Sequence, residues 1–305
     1  MVRPQKTRIG PANSFCGLFV RASIRRMLCK ISSLTALALC MTAGCTSDSL
    51  DAADAGSDIA SVDAEPAPVD AAPGAPDADT SPVNCYEEAG DRNGDVASLV
   101  AAYGGSNYKD QLIAIMAIRH PATAYLLNEQ RNDSYFAQFS DSNSWSGMVS
   151  WLDTLSHEET HLFNAVYAGA QGQAAALYLR PDLIIHLPSD SNTFARSEIR
   201  AHIGADVQNG QYANTYLQGS SGGRGFNAVL DELSCYLNEL AAVGSVGEFY
   251  SGGVSLRDGS VSFLHFMQVY LQVARTEHPA VYTALKAQPS YREAVLQLWL
   301  RTHYY

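Results

Sequence analysis

Residues 156–161, with the sequence SHEETH, contain two histidines and a glutamate at a spacing that suits metal-assisted hydrolysis. His157 and His161 are four positions apart, so on a helix of 3.6 residues per turn both imidazoles can point to one ion. Zinc binds neutral imidazole nitrogen, and catalytic zinc sites combine three protein ligands with one position for water. Glu158 lies beside that position, where it can act as general base while the ion lowers the pKa of the water toward about 7. The stretch therefore predicts a hydrolytic zinc site.

The pattern His-Glu-x-x-His resembles that of the zincin metallopeptidases. The resemblance implies that His157 and His161 bind Zn²⁺, that Glu158 is the catalytic base, and that the substrate is a peptide or a protein. It also implies an α+β, predominantly helical fold, with a zincin-like catalytic domain, a small sheet and an active-site helix. Glu159 stands where zincin helices usually carry an uncharged residue, so we expect its carboxyl group to point away from the metal or to be neutral.

The residues around the motif have the periodicity of a helix packed on a core. The repeating apolar positions are Met148, Trp151, Leu152, Leu155, Leu162 and Val166. Other patterns predict helices over 96–103, 110–118, 122–130 and the C-terminal part, strands over 174–179 and 183–187, and a flexible loop over 219–225.

A second helix, predicted over 226–243, offers a third metal ligand. Its apolar stripe consists of Phe226, Val229, Leu230, Leu233, Leu237 and Leu240. Glu232 lies at the edge of the stripe, where a carboxylate is costly to bury without a partner such as zinc. In gluzincins, the zincin branch whose third ligand is Glu, that residue comes from a downstream helix, which implies Glu232 here. Glu239, seven residues later on the same face, is the alternative third ligand. Two helical turns, or about 10 Å, separate the two residues, so only one of them can reach the metal. Both could also be solvated surface carboxylates.

Two residues close to Glu232 in the sequence, Cys235 and Tyr236, have side chains that could form a disulfide or take part in catalysis. Tyr236 could donate a hydrogen bond to the oxyanion formed during peptide hydrolysis, or it could be a core aromatic residue. Cys85 and Cys235 are the only cysteines after Cys45, so they could form a disulfide outside the cytoplasm. Alternatively, Cys235 is a small buried side chain.

Residues 1–45 have the pattern of an export signal. A basic segment with Arg25, Arg26 and Lys30 precedes an apolar run that is too short to span a bilayer, which needs about 20 residues. The run ends in the sequence TAGC, which resembles the lipobox of bacterial lipoproteins. The resemblance implies lipidation of Cys45 and tethering to a membrane of the cell envelope, on its periplasmic or cell-surface face; a plain secretory signal is the alternative.

Residues 46–84 form a predicted tether. They are rich in Ala, Asp, Pro, Ser and Gly and include nine acidic residues but no Lys or Arg. Such a segment cannot bury enough apolar surface to offset its ordering entropy, so we expect it to be disordered. The zincin-like metallopeptidase domain is then predicted over 85–305.

Acidic residues outnumber basic ones by 31 to 13 after Cys45, a net charge of −18. This negative charge argues against nucleic acid as a partner. The oligomeric state does not follow from the sequence. The resemblances of the motif and of residues 1–45 together imply a zinc metallopeptidase that contacts a membrane only through a lipid anchor. Two alternatives stay open: an inactive zincin-like binding protein of the envelope, and an amidase that acts on cell-wall peptides.

Overall fold

Residues 86–250 and 256–305 are described by the computed structural model, and most of them are helical. The helices are α1 (Ala97–Ala101), α2 (Tyr108–Arg119), α3 (Pro121–Glu129), α4 (Ser134–Gln138), α5 (Trp145–Ala170), α6 (Ala205–Gln208), α7 (Gln211–Tyr216), α8 (Gly219–Gly222), α9 (Phe226–Gly244), α10 (Leu256–Thr276), α11 (Pro279–Ala287) and α12 (Pro289–Tyr304). Within these ranges, strands β1 (Ala175–Arg180) and β2 (Leu183–Leu187) form one antiparallel sheet, and Gly105–Asn107, Arg196–His202 and Gly247–Phe249 are 3₁₀ turns. The α+β, predominantly helical architecture is confirmed.

The predicted segments 1–45 and 46–84 lie outside the described residues, as do Cys45 and Cys85. In the part of the chain that is described, every helix is too short or too polar to cross a bilayer.

Helix α5 carries the His-Glu-x-x-His motif near its middle. It begins after Ser144, whose Oγ accepts a hydrogen bond from the backbone N–H of Gly147 at 3.1 Å, which is a standard N-cap. The helix has 26 residues, so the motif lies more than two turns from either end. The backbone that holds the two histidines is therefore continuous helix.

The predicted apolar stripe of α5 is only partly buried. Met148, Leu152 and Leu155 are buried as expected. The expectation is wrong for Trp151 and Val166, which are 44% and 38% exposed. The side of α5 that carries Met148, Leu152 and Leu155 packs in a cluster with Ala242 and Val243 of α9.

Helix α9 runs between two apolar clusters of the core. Leu233 and Leu237 belong to a cluster shared with the hairpin, α10 and α12, whereas Ala242 and Val243 belong to one shared with α2 and α5. Of the predicted stripe, Phe226, Val229, Leu230, Leu233 and Leu237 are buried and Leu240 is half-buried. Because α9 is packed on both sides, its polar residues have fixed positions relative to α5.

The segment 219–225 is more ordered than predicted. It contains the short helix α8 and is held by Arg196, whose side chain is fully buried. The Arg196 guanidinium donates hydrogen bonds to the carbonyl groups of Ser221 and Ala228, at 3.0 and 3.3 Å. The glycine-rich composition indicated flexibility, but a distant arginine fixes the segment.

The β-hairpin lies across α5 and α9. Tyr178 pairs with Ile184 on β2, and its own backbone groups are used by the two helices. Its N–H donates to Asn164 Oδ1 of α5 at 2.7 Å, and its carbonyl accepts from Asn238 Nδ2 of α9 at 3.1 Å. These two bonds fix the hairpin relative to both helices.

A buried ionic cluster surrounds Glu88. Its carboxylate accepts hydrogen bonds from Arg301, His120, Tyr86 and Tyr305. Its side chain is 3% exposed and that of Arg301 is fully buried. The cluster therefore joins the start of the described region to α3 and α12.

Candidate metal site

His157, His161 and Glu232 are brought together by the packing of α5 on α9. One carboxylate oxygen of Glu232, Oε2, lies 3.7 Å from Nε2 of His157 and 3.4 Å from Nε2 of His161. The three candidate ligand atoms all lie within 4.8 Å of one another. Their side chains are only 10%, 18% and 8% exposed, so the cluster is mostly shielded from water.

Glu232 Oε2 is buried without a hydrogen-bond partner. The other oxygen, Oε1, lies 3.7 Å from the guanidinium of Arg196. A buried carboxylate oxygen without a partner costs free energy, and a cation between Glu232 and the two imidazoles would remove that cost. Two imidazole nitrogens and one carboxylate oxygen are also the donor set of many catalytic zinc sites. The three residues therefore fit a divalent metal ion.

The second nitrogen of each imidazole faces another carboxylate. Nδ1 of His157 lies 3.1 Å from Glu239 Oε2, and Nδ1 of His161 lies 2.7 Å from Asp231 Oδ2. Carboxylates accept N–H bonds, so a proton stays on each Nδ1 when Nε2 binds a cation. Histidines that bind metals commonly have such a partner, which fixes the orientation of the ring.

Asp231 is in turn held by Asn164, three residues after His161 on α5. The Asn164 amide donates to Asp231 Oδ1 at 2.7 Å, while its Oδ1 accepts the Tyr178 N–H of the hairpin. A continuous set of hydrogen bonds thus runs from β1 to His161. Sequence reasoning did not find Asp231. Its position directly before Glu232 was the only local signal.

The carboxylates also control the charge of the histidines. Burial lowers the pKa of His157, but Glu232 and Glu239 raise it by more, to about 9. Burial raises the pKa of Glu232, but His161 and His157 lower it by more, so it ends well below its usual value. A metal ion must therefore displace protons from the imidazoles, so its affinity falls as the pH is lowered.

Glu158 and Glu159, adjacent on α5, have different surroundings. Glu158 is half-buried, and its charge adds to the effect of burial, which raises the pKa of Glu239. Glu159 is fully buried, and neither of its oxygens has a hydrogen-bond partner. Burial, followed by the charge of Asp133, raises the pKa of Glu159 to about 8, so its carboxyl group is mostly neutral at pH 7.

The ring of Tyr236 packs against the metal cluster. Its centroid is 4.5 Å from that of His157, and it stacks on Phe263 at 5.4 Å. Its hydroxyl lies 2.9 Å from the hydroxyl of Tyr216. The structure therefore places Tyr236 beside a candidate ligand, and its role as hydrogen-bond donor to an oxyanion stays a prediction.

Cys235 follows Glu232 by three residues on α9. It is fully buried and has no disulfide partner among the described residues. Its suggested disulfide partner, Cys85, lies outside the described residues, so this pairing stays a prediction.

Two cavities in the described region lie apart from the cluster. One, of about 530 Å³, is lined by polar residues such as Asp190 and Arg224 near the start of α9. The other, of about 450 Å³, is an apolar groove lined by residues of α10 to α12, such as Tyr282 and Trp299. None of the three candidate ligands lines either cavity, so the cavities do not locate a substrate cleft.

Comparisons with known proteins gave no match: no protein-family model, no curated protein and no solved structure is significantly similar to this chain.

Proposed function

We propose that this protein is a zinc-dependent metallopeptidase of the gluzincin type, with His157, His161 and Glu232 as metal ligands. The observation that carries the proposal is the convergence of two Nε2 atoms on Glu232 Oε2, which is buried and otherwise without a partner. Bound zinc supplies Lewis acidity, which polarises a peptide carbonyl and makes water more acidic.

The proposal gives the neighbouring residues the following roles. Glu158 takes a proton from water and passes it to the leaving amine. Glu239 and Asp231 hold the two imidazoles with Nε2 directed at the metal. Tyr236 donates a hydrogen bond to the oxyanion of the substrate.

Metal content tests the ligand set. We expect about one zinc per chain in the full-length protein at neutral pH, less than a tenth of that in His161→Ala and Glu232→Ala, and normal content in Glu239→Ala at saturating zinc. If the unchanged protein takes up no zinc, the proposal is wrong.

Activity distinguishes a peptidase from a binding protein. Cleavage of a peptide library that includes cell-wall peptides should fall by at least about 100-fold in Glu158→Gln, because the amide cannot accept the proton. Zinc content should be normal in this variant. Glu293→Gln, at an exposed position of α12, is the matched control. A biological effect that survives Glu158→Gln would favour the binding protein.

We further propose that the protein is exported and held at a bacterial envelope membrane by a lipid on Cys45. The proposal rests on the sequence of residues 1–45. Expression in bacteria with a labelled fatty acid should label the unchanged chain and leave Cys45→Ser unlabelled and released from the membrane fraction. Label on both chains would contradict it.

A further inference from the structure

A second group of candidate ligands lies next to the first and shares His161 with it. Asp231, Cys235 and His161 place a carboxylate oxygen, a thiol sulfur and an imidazole nitrogen within 4.8 Å of one another. Asp231 and Cys235 are one turn apart on α9, so both side chains are directed at α5. The side chains of Asp231 and His161 are 30% and 18% exposed, so two of the three candidate ligands are in contact with solvent.

We propose that Asp231, Cys235 and Nδ1 of His161 form a second metal site, selective for a thiophilic divalent cation such as Cd²⁺. The two groups differ in their donors: the first has two nitrogens and one oxygen, and the second has a sulfur. Thiolate ligands favour soft cations, and Cd²⁺ is softer than Zn²⁺, so a sulfur donor favours cadmium more than it favours zinc. Cadmium should therefore bind the second group more tightly than the first.

The two sites compete for His161. With Nε2 directed at Glu232, the imidazole proton stays on Nδ1 and is donated to Asp231. A cation at the second site needs a proton-free Nδ1, so the imidazole proton moves to Nε2 and the first site loses a ligand. The cation also displaces the thiol proton of Cys235, which leaves to solvent. A neutral imidazole thus serves one ion at a time, and the thiophilic ion is an inhibitor of the proposed metallopeptidase.

Cadmium titration of the full-length protein tests binding without any use of activity. A cadmium–thiolate bond gives a charge-transfer absorption in the ultraviolet. Because five other cysteines are present, the measured quantity is the difference between the unchanged protein and Cys235→Ser, with Cys85→Ser as the matched control. We expect a signal equivalent to one thiolate that is lost only in Cys235→Ser. Binding should weaken about tenfold or more in Asp231→Asn.

Equal signals from the unchanged protein and Cys235→Ser would overturn the proposal. A disulfide between Cys85 and Cys235 would also remove the difference and would overturn it in the same way. Cys235→Ala is a second variant, because its smaller apolar side chain fits the buried position. It removes the sulfur ligand without burying a hydroxyl group, so it should fold normally and should also lose the signal.

Competition with zinc tests the sharing of His161. Cadmium should release zinc from the unchanged protein at a concentration about tenfold lower than from Cys235→Ser. Zinc release at the same cadmium concentration from the unchanged protein and from Cys235→Ser would show that cadmium only replaces zinc at the first site. The inhibition and the zinc release rest on the proposed function, because both need zinc at the first site, whereas the cadmium–thiolate absorption does not. A protein without peptidase activity could therefore still have the second site.

Discussion

Glu239 Oε2 lies 3.1 Å from Nδ1 of His157, while Nε2 of the same ring faces Glu232. The two carboxylates are seven residues apart on α9, two turns along one face, and they contact different nitrogens of one imidazole. The sequence left open which of them is the third ligand. This arrangement assigns Glu232 to the cluster and Glu239 to the orientation of His157.

Replacing Glu239 should therefore weaken the metal site without abolishing it. In Glu239→Ala, we expect about 10- to 100-fold lower zinc affinity, because His157 loses the acceptor that fixes its ring. Competition with a chelator measures this, with Glu232→Ala as the comparison. Loss of zinc in Glu239→Ala together with retention in Glu232→Ala would mean that the two roles are exchanged.

Asn164 should affect both stability and metal affinity. Asn164→Leu leaves the buried Tyr178 N–H unpaired, at a cost of about 1–3 kcal/mol, and also frees Asp231. Asn238→Leu is a matched control, because Asn238 bonds to the carbonyl of the same Tyr178 but not to Asp231. Urea unfolding should show both variants destabilised, and a chelator assay should show lower zinc affinity only in Asn164→Leu. Equal zinc affinities of Asn164→Leu and Asn238→Leu would exclude a role for Asn164 in positioning the metal ligands.

Removing the buried carboxyl group of Glu159 should stabilise the protein. Glu159→Leu replaces two oxygens that have no hydrogen-bond partner by apolar atoms of similar volume. We expect a gain of about 1–3 kcal/mol in the free energy of unfolding at neutral pH, with unchanged zinc content. Glu158→Gln, at the half-buried neighbouring position, should change it by less than about 0.5 kcal/mol. A loss of stability in Glu159→Leu would show that the carboxyl group has a partner.

Gly259 in α10 makes room for the ring of Tyr236. A Cβ atom at this position would lie 2.2 Å from Tyr236 Cδ1. Gly259→Ala should therefore cost about 1–3 kcal/mol through overpacking. Gly169→Ala, where a Cβ would meet nothing within 4 Å, should be neutral or stabilising by about 0.5 kcal/mol. In a double-mutant cycle with Tyr236→Ala, most of the cost at Gly259 should disappear; additive effects would rule out this contact.

The Glu88 cluster should make stability depend on acid pH. Burial raises the pKa of Glu88, but Arg301 and His120 lower it by more, far below the ordinary value of 4.5. Because the unfolded chain binds this proton at higher pH, stability is complete above about pH 4.5 and declines as the pH falls below it. Urea unfolding from neutral pH to about pH 3 should show this decline. In Glu88→Gln, stability at pH 7 should be about 3–5 kcal/mol lower and the decline smaller. An unchanged slope would assign the decline to other carboxylates.

The two histidines belong to one local pattern, and Glu232 was one of two candidates that a second pattern offered. His157 and His161 are one helical turn apart, and Glu232 interrupts the edge of an apolar stripe. The helical period shows which residues share a face, and the resemblance to gluzincins favoured Glu232. The same period identified α5 and α9, and short apolar runs on either side of a turn identified the hairpin, with small errors at the ends.

Asp231 and its bond to His161 could not be predicted in this way. The contact depends on the register between α5 and α9, two helices 70 residues apart, which is set by packing of the whole core. Arg196 illustrates the same limit: glycine content indicated a loose segment, and a fully buried guanidinium from a distant turn fixes it.

The pairing of Glu88 with Arg301 also has a consequence for folding during synthesis. The two residues are 213 positions apart, so the carboxylate has no guanidinium partner until almost all of the described chain has left the ribosome. An unpaired charge at that position disfavours burial, so Glu88 cannot be buried early in folding. The closure of this part of the core is therefore a late step that waits for α12, the last helix to be synthesised.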